Sequence, residues 1–351
     1  MKLGYACINS TLQAAGGITT NRGMRQKTFN EKGLDYVSEL ALQNCRDLVT
    51  IVKWNEEMGI KLFRMSSDLF PWATFYDFEE LPDYDKIANI LKGVGTLAEK
   101  YSHRLTFHPS HFNALGSPNP VVVEKTIKEL NAHSKIMDLM GLSATVYNKI
   151  NIHIGGAYGD KQATLKRWID NYHRLDPNTK MRLTVENDDK ENMYSVRDLY
   201  HGISEQCGVP IVFDYYHHKF CTGGLSEQDA LNLAIKTWPK GITPCCHYSE
   251  SRRKEHLDES IKAQAHSDLI EGTICRYGNE VDVVVEAKAI NQNDAISEVQ
   301  HYMRKNKITK DIIGFAVSGQ TNDTLKVDYF LKLYGSDECK KIHSHCNKKS
   351  A

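Results

Sequence analysis

Arg104-Leu105-Thr106-Phe107-His108 reads as a short strand with two unlike faces. Side chains alternate along a strand, so Leu105 and Phe107 share one face and Thr106 and His108 the other. The apolar face suits packing against helices, which turns His108 the opposite way at the strand's end. The same pattern recurs downstream. Ile152 and Ile154 oppose His153, Leu183 and Val185 oppose Glu186, Ile211 and Phe213 oppose Asp214, Val283 and Val285 oppose Glu286, and His247 ends a further run. A single polar strand end means little, because strand ends are often polar and a lone histidine is usually structural. Six metal-type side chains on equivalent faces, drawn from distant sequence, imply a shared destination.

Working outward, these runs belong to a set of eight, at 3–7, 60–66, 104–108, 149–154, 182–186, 209–214, 242–248 and 282–288. Segments with helical spacing alternate with them. The first is 34–58, with apolar residues at Leu34, Val37, Leu40, Ala41, Leu48, Ile51, Val52 and Trp54; others are 83–100, 119–140, 161–174, 194–206, 226–238, 257–271 and 291–305. Strand–helix alternation implies βαβ units and a parallel sheet. Alternation alone also fits an open doubly wound sheet. The polar inner faces favour the α/β (β/α)8 TIM barrel, whose strand C-termini share one rim where active sites sit. The expectation is a single barrel domain over 1–305 and a C-terminal extension over 306–351. The end of the chain, 339–346, has two cysteines and two histidines without a zinc-site spacing, and reads as a basic tail.

Composition limits the class of protein. The 351 residues carry 44 Lys plus Arg and 44 Asp plus Glu, so the net charge is zero and a histone-like basic coat is excluded, though a local basic patch is not. No apolar run of about 18 residues is present, so no membrane helix is expected. Met1-Lys2-Leu3-Gly4-Tyr5 lacks a signal peptide's apolar core. Nine scattered cysteines cannot all pair within one chain, which points to a reducing intracellular compartment with mostly buried thiols.

The ligand types define the chemistry. His108, His153, His247, Glu186, Asp214 and Glu286 suit more than one divalent ion, and a central glutamate can bridge two. Mixed imidazole and carboxylate ligation suits Zn²⁺ or Mn²⁺. Two ions ~3.5–4 Å apart are the usual device for displacement at phosphorus. No Walker-type phosphate loop and no G-x-S-x-G elbow is present. His217, three residues after Asp214, and His266, beyond the seventh run, could reach the rim and hold a third ion.

At this point the chain resembles the UV damage endonucleases, metal-dependent barrel enzymes similar to apurinic-site endonucleases and xylose isomerases. The resemblance rests on Leu3-Gly4-Tyr5-Ala6-Cys7-Ile8-Asn9, Thr19-Thr20-Asn21-Arg22, Phe63-Arg64-Met65-Ser66-Ser67-Asp68-Leu69-Phe70-Pro71, His108-Pro109 and His153-Ile154-Gly155-Gly156-Ala157-Tyr158-Gly159. It continues through Glu186-Asn187-Asp188, Asp214-Tyr215-Tyr216-His217-His218, His247-Tyr248-Ser249, His266-Ser267-Asp268 and Val285-Glu286-Ala287-Lys288, in family order over 1–290.

The resemblance implies nicking of double-stranded DNA immediately 5′ of cyclobutane dimers and 6-4 photoproducts, leaving 3′-hydroxyl and 5′-phosphate ends. It implies two to three divalent ions, Mn²⁺ first, with Zn²⁺ or Mg²⁺ as alternatives. His108, His153 and Glu186 would hold one ion; Glu186, Asp214, His247 and Glu286 a second; His217 and His266 would contribute to a third. Glu186, His247 and Glu286 carry the catalytic assignment. Tyr5 and Asn9 match residues near the lesion and the cut phosphate. Arg22 and Arg25, with Lys27, read either as phosphate contacts or as an exposed basic loop, and Arg252-Arg253-Lys254 reads the same two ways.

Two departures stand out. The family's lesion probe usually reads His-Pro-Gly-Gln followed by an aromatic, and here it reads His108-Pro109-Ser110-His111-Phe112. Phe112 keeps the stacking face, and His111 has the length to replace the glutamine as a hydrogen-bonding group. Cys245 stands where the family often has a lysine that can be carboxylated, and reads as a thiolate ligand or as a small filler. The rival activities are an apurinic-site endonuclease, a sugar isomerase, and a barrel that binds damaged DNA without cutting. An isomerase would leave 19–22 and 108–112 without a purpose, and a pure binder would need lost ligands. No membrane and no obligate protein partner is expected, and one asymmetric lesion needs only a monomer.

Overall fold

The computed structural model describes residues 1–270 and 272–287. Eight strands run parallel: β1 (Leu3–Ala6), β2 (Leu62–Met65), β3 (Arg104–Phe107), β4 (Ile150–Ile152), β5 (Leu183–Glu186), β6 (Ile211–Val212), β7 (Cys245–Tyr248) and β8 (Asp282–Val285). Their order is β6-β5-β4-β3-β2-β1-β8-β7. The two ends of that order meet through a parallel bridge between Asp214 and His247, where the His247 amide donates to Phe213 O at 2.9 Å. The sheet is thereby a closed (β/α)8 barrel, as the alternation predicts.

The two faces of each strand divide as expected. Leu105, Phe107, Ile150, Ile152, Leu183, Val185, Ile211, Phe213, Val283 and Val285 join the large core between strands and helices. The helix Gln26–Glu57 supplies Val37, Ala41, Leu48, Ile51 and Val52 to that core. Leu62, Val212, Cys245 and Val284 form a smaller inner cluster with Val146 and Trp238. Gly4 permits the close approach of β1 and β2, since a Cβ there would lie 1.9 Å from Leu62 O. The N-terminal end of the barrel is closed by Arg104. Its buried guanidinium donates to Tyr147 O (2.7 Å), Thr243 O (2.7 Å) and Val146 O (3.2 Å), and pairs with Asp282 Oδ2 at 2.9 Å. The charge is therefore both paired and hydrogen-bonded, the condition under which a buried ion is tolerated.

Most expected helices form close to their predicted bounds, including Tyr84–Lys100, Pro120–Leu139, Lys161–Tyr172 and Glu227–Lys236. The first begins earlier, at Gln26, and kinks at Gly33, which takes φ 61 and ψ −153. The expected helix over 257–271 does not form, and only Arg252–Glu255 is helical in that loop. The chain folds back instead. Ser251 and His266 form an antiparallel bridge, Arg252 N donates to Ala265 O at 2.9 Å, and Ser267 N to Glu250 O at 2.8 Å. The Glu255 carboxylate accepts from the amides of Asp268 (2.7 Å) and Leu269 (2.8 Å). Backbone groups that a helix would pair internally are thus satisfied across the loop. The expected helix at 291–305, the boundary at 305 and the extension lie outside the described residues. Among the described residues no helix is long and apolar enough to cross a membrane.

Candidate metal centre

Strand alternation delivers the ligand types to one rim. His108 follows β3, His153 follows β4, Glu186 ends β5, Asp214 lies just past β6, His247 is within β7 and Glu286 follows β8. Glu186 is the hub. Its Oε2 lies 3.2 Å from His108 Nε2 and 2.9 Å from His247 Nδ1, and its Oε1 lies 3.3 Å from His217 Nδ1 and 3.9 Å from His153 Nε2. Glu286 stands beside it, with Oε1 3.1 Å from His247 Nδ1 and Oε2 3.4 Å from His266 Nδ1.

Three overlapping donor sets each lie within 4.8 Å: His108, His153 and Glu186; Glu186, Asp214 and His217; and His108, His247 and Glu286. The grouping differs from the expected one in a specific way. Asp214 converges with His217 rather than with His247 and Glu286, and His247 and Glu286 converge with His108. His266 reaches the site through Glu286.

The residues fit divalent ions on their own chemistry. Among the described residues, Glu186 Oε1 and Asp214 Oδ2 are buried without a hydrogen-bond partner, a costly state for a carboxylate oxygen unless a cation satisfies it. Asp214 Oδ1 is already used, accepting from the amides of Tyr216 and His217 at 2.7 Å each. Burial pushes His108 down to about 4, so its ring is neutral and can ligate. Burial also opposes charge on Glu186, but the His247, His153 and His108 rings outweigh it and hold the carboxyl well below the usual range. His153 is drawn up to about 10, because Glu186 and Asp188 overcome the burial that would lower it.

Outer contacts fix the ligands. His153 Nδ1 lies 3.0 Å from Asp188 Oδ1, which leaves Nε2 toward Glu186. His217 Nδ1 donates to Asn187 O at 2.9 Å, and Asn187 also bonds both backbone groups of Asp214, at 2.9 and 3.1 Å. Asn151 donates to Glu186 and is itself held by Thr184 at 2.8 Å. Arg64 pairs with Glu286. Lys149 is buried, with Nζ 3.1 Å from His247 Nε2, and burial lowers its pKa. Such outer partners orient metal-bound imidazoles and carboxylates. The sequence reading passed over Lys149, Asn151 and Asp188, although alternation from His153 and Glu186 places all three on the inner face.

Cys245 belongs to none of these donor sets among the described residues; it packs in the inner apolar cluster, and burial raises its thiol. Tyr5 faces the helices rather than the rim. Its ring packs on Phe63, with centroids 4.9 Å apart, and its hydroxyl donates to Asn55 Oδ1 at 2.8 Å. Asn9 is buried too, donating to Tyr5 Oη at 2.8 Å and accepting from Leu12 N at 2.9 Å as a helix cap. The structure therefore does not bring either side chain among the ligands. Arg22 braces its own loop, 2.7 Å from Asp47 Oδ2 and bonded to Thr19 O and Gly17 O, while Arg25 is exposed. His111 and Phe112 project from the loop after β3, their rings 4.2 Å apart, with Phe112 76% exposed.

Known proteins share both the sequence and the fold. The UV-endonuclease UvdE family model matches residues 1–317. The UV-damage endonuclease of Schizosaccharomyces pombe is 36% identical over 302 residues, covering 83% of this chain and 49% of that protein. A putative UV-damage endonuclease of Acanthamoeba polyphaga mimivirus is 33% identical over 345 residues, covering 95% of this chain and 98% of its own. The chain thus spans about half the length of the fission-yeast relative and nearly all of the viral one. The crystal structure of SacUVDE superposes with a TM-score of 0.69 at 31% identity, over 82% of this chain and 93% of that one. The family match spans the residues that carry the motifs and the barrel strands, and the chain belongs to the UV-damage endonuclease family.

Proposed function

We propose that the chain cuts one strand of duplex DNA immediately 5′ of UV photoproducts, both cyclobutane dimers and 6-4 photoproducts, by metal-dependent hydrolysis, leaving a 3′-hydroxyl and a 5′-phosphate. The observation that carries the reading is the sharing of Glu186 and His108 among three converging donor sets on one rim. Shared donors suit adjacent ions, and such ions, when bound, would supply water activation and charge neutralisation at phosphorus. Mn²⁺ is the first choice, with Zn²⁺ or Mg²⁺ as alternatives, since imidazole and carboxylate serve all three.

The chain's own residues supply the remainder. Glu186 would be shared between ions held by His108 and His153 and by Asp214 and His217. His247 and Glu286 hold the opposite flank, braced by Lys149 and Arg64. Phe112, exposed at the mouth, stacks on bases displaced at the lesion, and His111 beside it donates a hydrogen bond there. The exposed Arg25 is suited to a backbone phosphate. We assign the protein to a reducing intracellular compartment, where its substrate is, and to action as a monomer.

The test is nicking of a defined duplex with one photoproduct and Mn²⁺, alongside duplexes with an abasic site or no damage. A nick directly 5′ of the photoproduct is expected. Cutting of the abasic duplex alone would replace this reading with that of an apurinic-site endonuclease.

A further inference from the structure

Ile8, Phe75, Phe112, Tyr158 and Leu257 are exposed apolar side chains, and each lies on a different loop after a strand. Leu257 is the most exposed of them, at 91%. Its backbone takes φ 51, a left-handed conformation that a leucine adopts only against steric cost. Scattered surface leucines need no explanation. A leucine that is both fully presented and held in a disfavoured conformation does, because folding alone selects for neither.

A set of bonds ties the turn bearing Leu257 to the segment that carries His266. Leu257 N donates to Lys254 O at 3.3 Å, and Asp258 N to Arg253 O at 3.1 Å. Arg253 Nε reaches Ile261 O at 2.6 Å, bracing the turn from behind. The preceding His256 lies 2.9 Å from Asp268 Oδ2, and Glu255 caps the amides of Asp268 and Leu269. That return strand also carries His266, which faces Glu286. Leu257 and a candidate metal ligand are thus two ends of one cross-linked loop. Exposed Lys254 beside it suits a nearby phosphate, although Asp258 and Glu259 follow and Glu259 pairs with Arg253 at 3.0 Å.

Position completes the argument. In the closed order, β7 is four strands from β3 in either direction, so the loop bearing Leu257 faces the loop bearing Phe112 across the mouth. A duplex laid over the ligands would meet an apolar side chain from each side. We propose that Leu257 is a second insertion residue, a wedge that enters the base stack opposite Phe112 and helps to hold the lesion open. Apolar wedges of this kind unstack a step and kink the helix. The inference rests on the DNA-cutting function proposed above.

The experiment uses the full chain and a lesion duplex with 2-aminopurine next to the base opposite the photoproduct. Wild type is expected to bind and raise the fluorescence. Leu257→Ala should bind this duplex about tenfold more weakly and lose most of the rise, as expected for loss of an unstacking wedge. Leu257→Met should keep both, and metal per chain should be unchanged in each variant. Wild-type affinity and fluorescence in Leu257→Ala would overturn the proposal, as would loss of metal, which would make Leu257 a structural residue. A wild-type protein that neither binds nor cuts the lesion duplex would overturn the proposed function first, and this inference with it.

Discussion

Lys149 holds its amine 3.1 Å from Nε2 of His247, on the side of the ring away from Glu186 and Glu286. Nε2 is thereby committed to the buried amine, which leaves Nδ1, facing the carboxylates, as the ring nitrogen that can ligate. Loss of such an outer partner typically lowers metal affinity by ~10–100-fold. Lys149→Met is expected to do so, and Lys149→Gln, which retains a polar contact, to do so less. Competitive Mn²⁺ titration checks the order, and equal affinity in all three proteins would remove Lys149 from the ligand system.

Glu186→Gln should abolish nicking and leave the fold intact. One neutralisation weakens two donor sets at once, because Glu186 belongs to both. Circular dichroism should match wild type. Nicking retained at saturating Mn²⁺ would show that Glu186 is not a bridging ligand.

Phe112→Ala should weaken binding to a photoproduct duplex by about 1–3 kcal/mol, the usual value for a lost base stack. Phe112 is exposed, so stability should barely change. Undamaged duplex should bind as before, and equal loss on both duplexes would rule out a lesion-specific contact.

Cys245→Ala should leave activity within a few fold and bound metal per chain unchanged. Cys245 sits with Leu62, Val146, Val212, Trp238 and Val284, an apolar setting for a thiol. A large loss of both metal and activity would establish a thiolate ligand instead.

Arg104→Met should cost about 3–5 kcal/mol of stability, because it leaves the Asp282 carboxylate buried without its cation. The side-chain volume is nearly kept, so lost packing contributes little. Chemical denaturation of the metal-loaded protein measures the change, and a shift under about 1 kcal/mol would mean that the Arg104–Asp282 pair adds nothing net to stability.

What could be read from sequence was whatever depends on a short repeat. Phe107 beside His108 and Ile152 beside His153 reveal which way each ligand turns, because the two-residue period of a strand is local. The same rule applied to β1 places Leu3 and Tyr5 outward, where both join the core. Leu257, Ile261, Ala265 and Leu269 recur every fourth residue and imitate a helix face, but the bonds from Glu250 and Glu255 across the loop prevail over that spacing. The grouping of His247 and Glu286 with His108 depends on angles around a closed barrel, which no linear spacing encodes. Lys149 and His247 are neighbours only because β4 and β7 both point into the same narrow interior.

The bridge between Asp214 and His247 joins the last two edges of the sheet, and both residues are donors to the proposed ions. Until that seam zips, Asp214 and His247 are not both held on the rim beside Glu186. A chain with a slipped or open seam therefore cannot assemble the full donor set, however well its other strands are formed. If the proposed ions are required for cutting, their loading would report on the finished fold, because a misassembled copy would lack a complete set of donors.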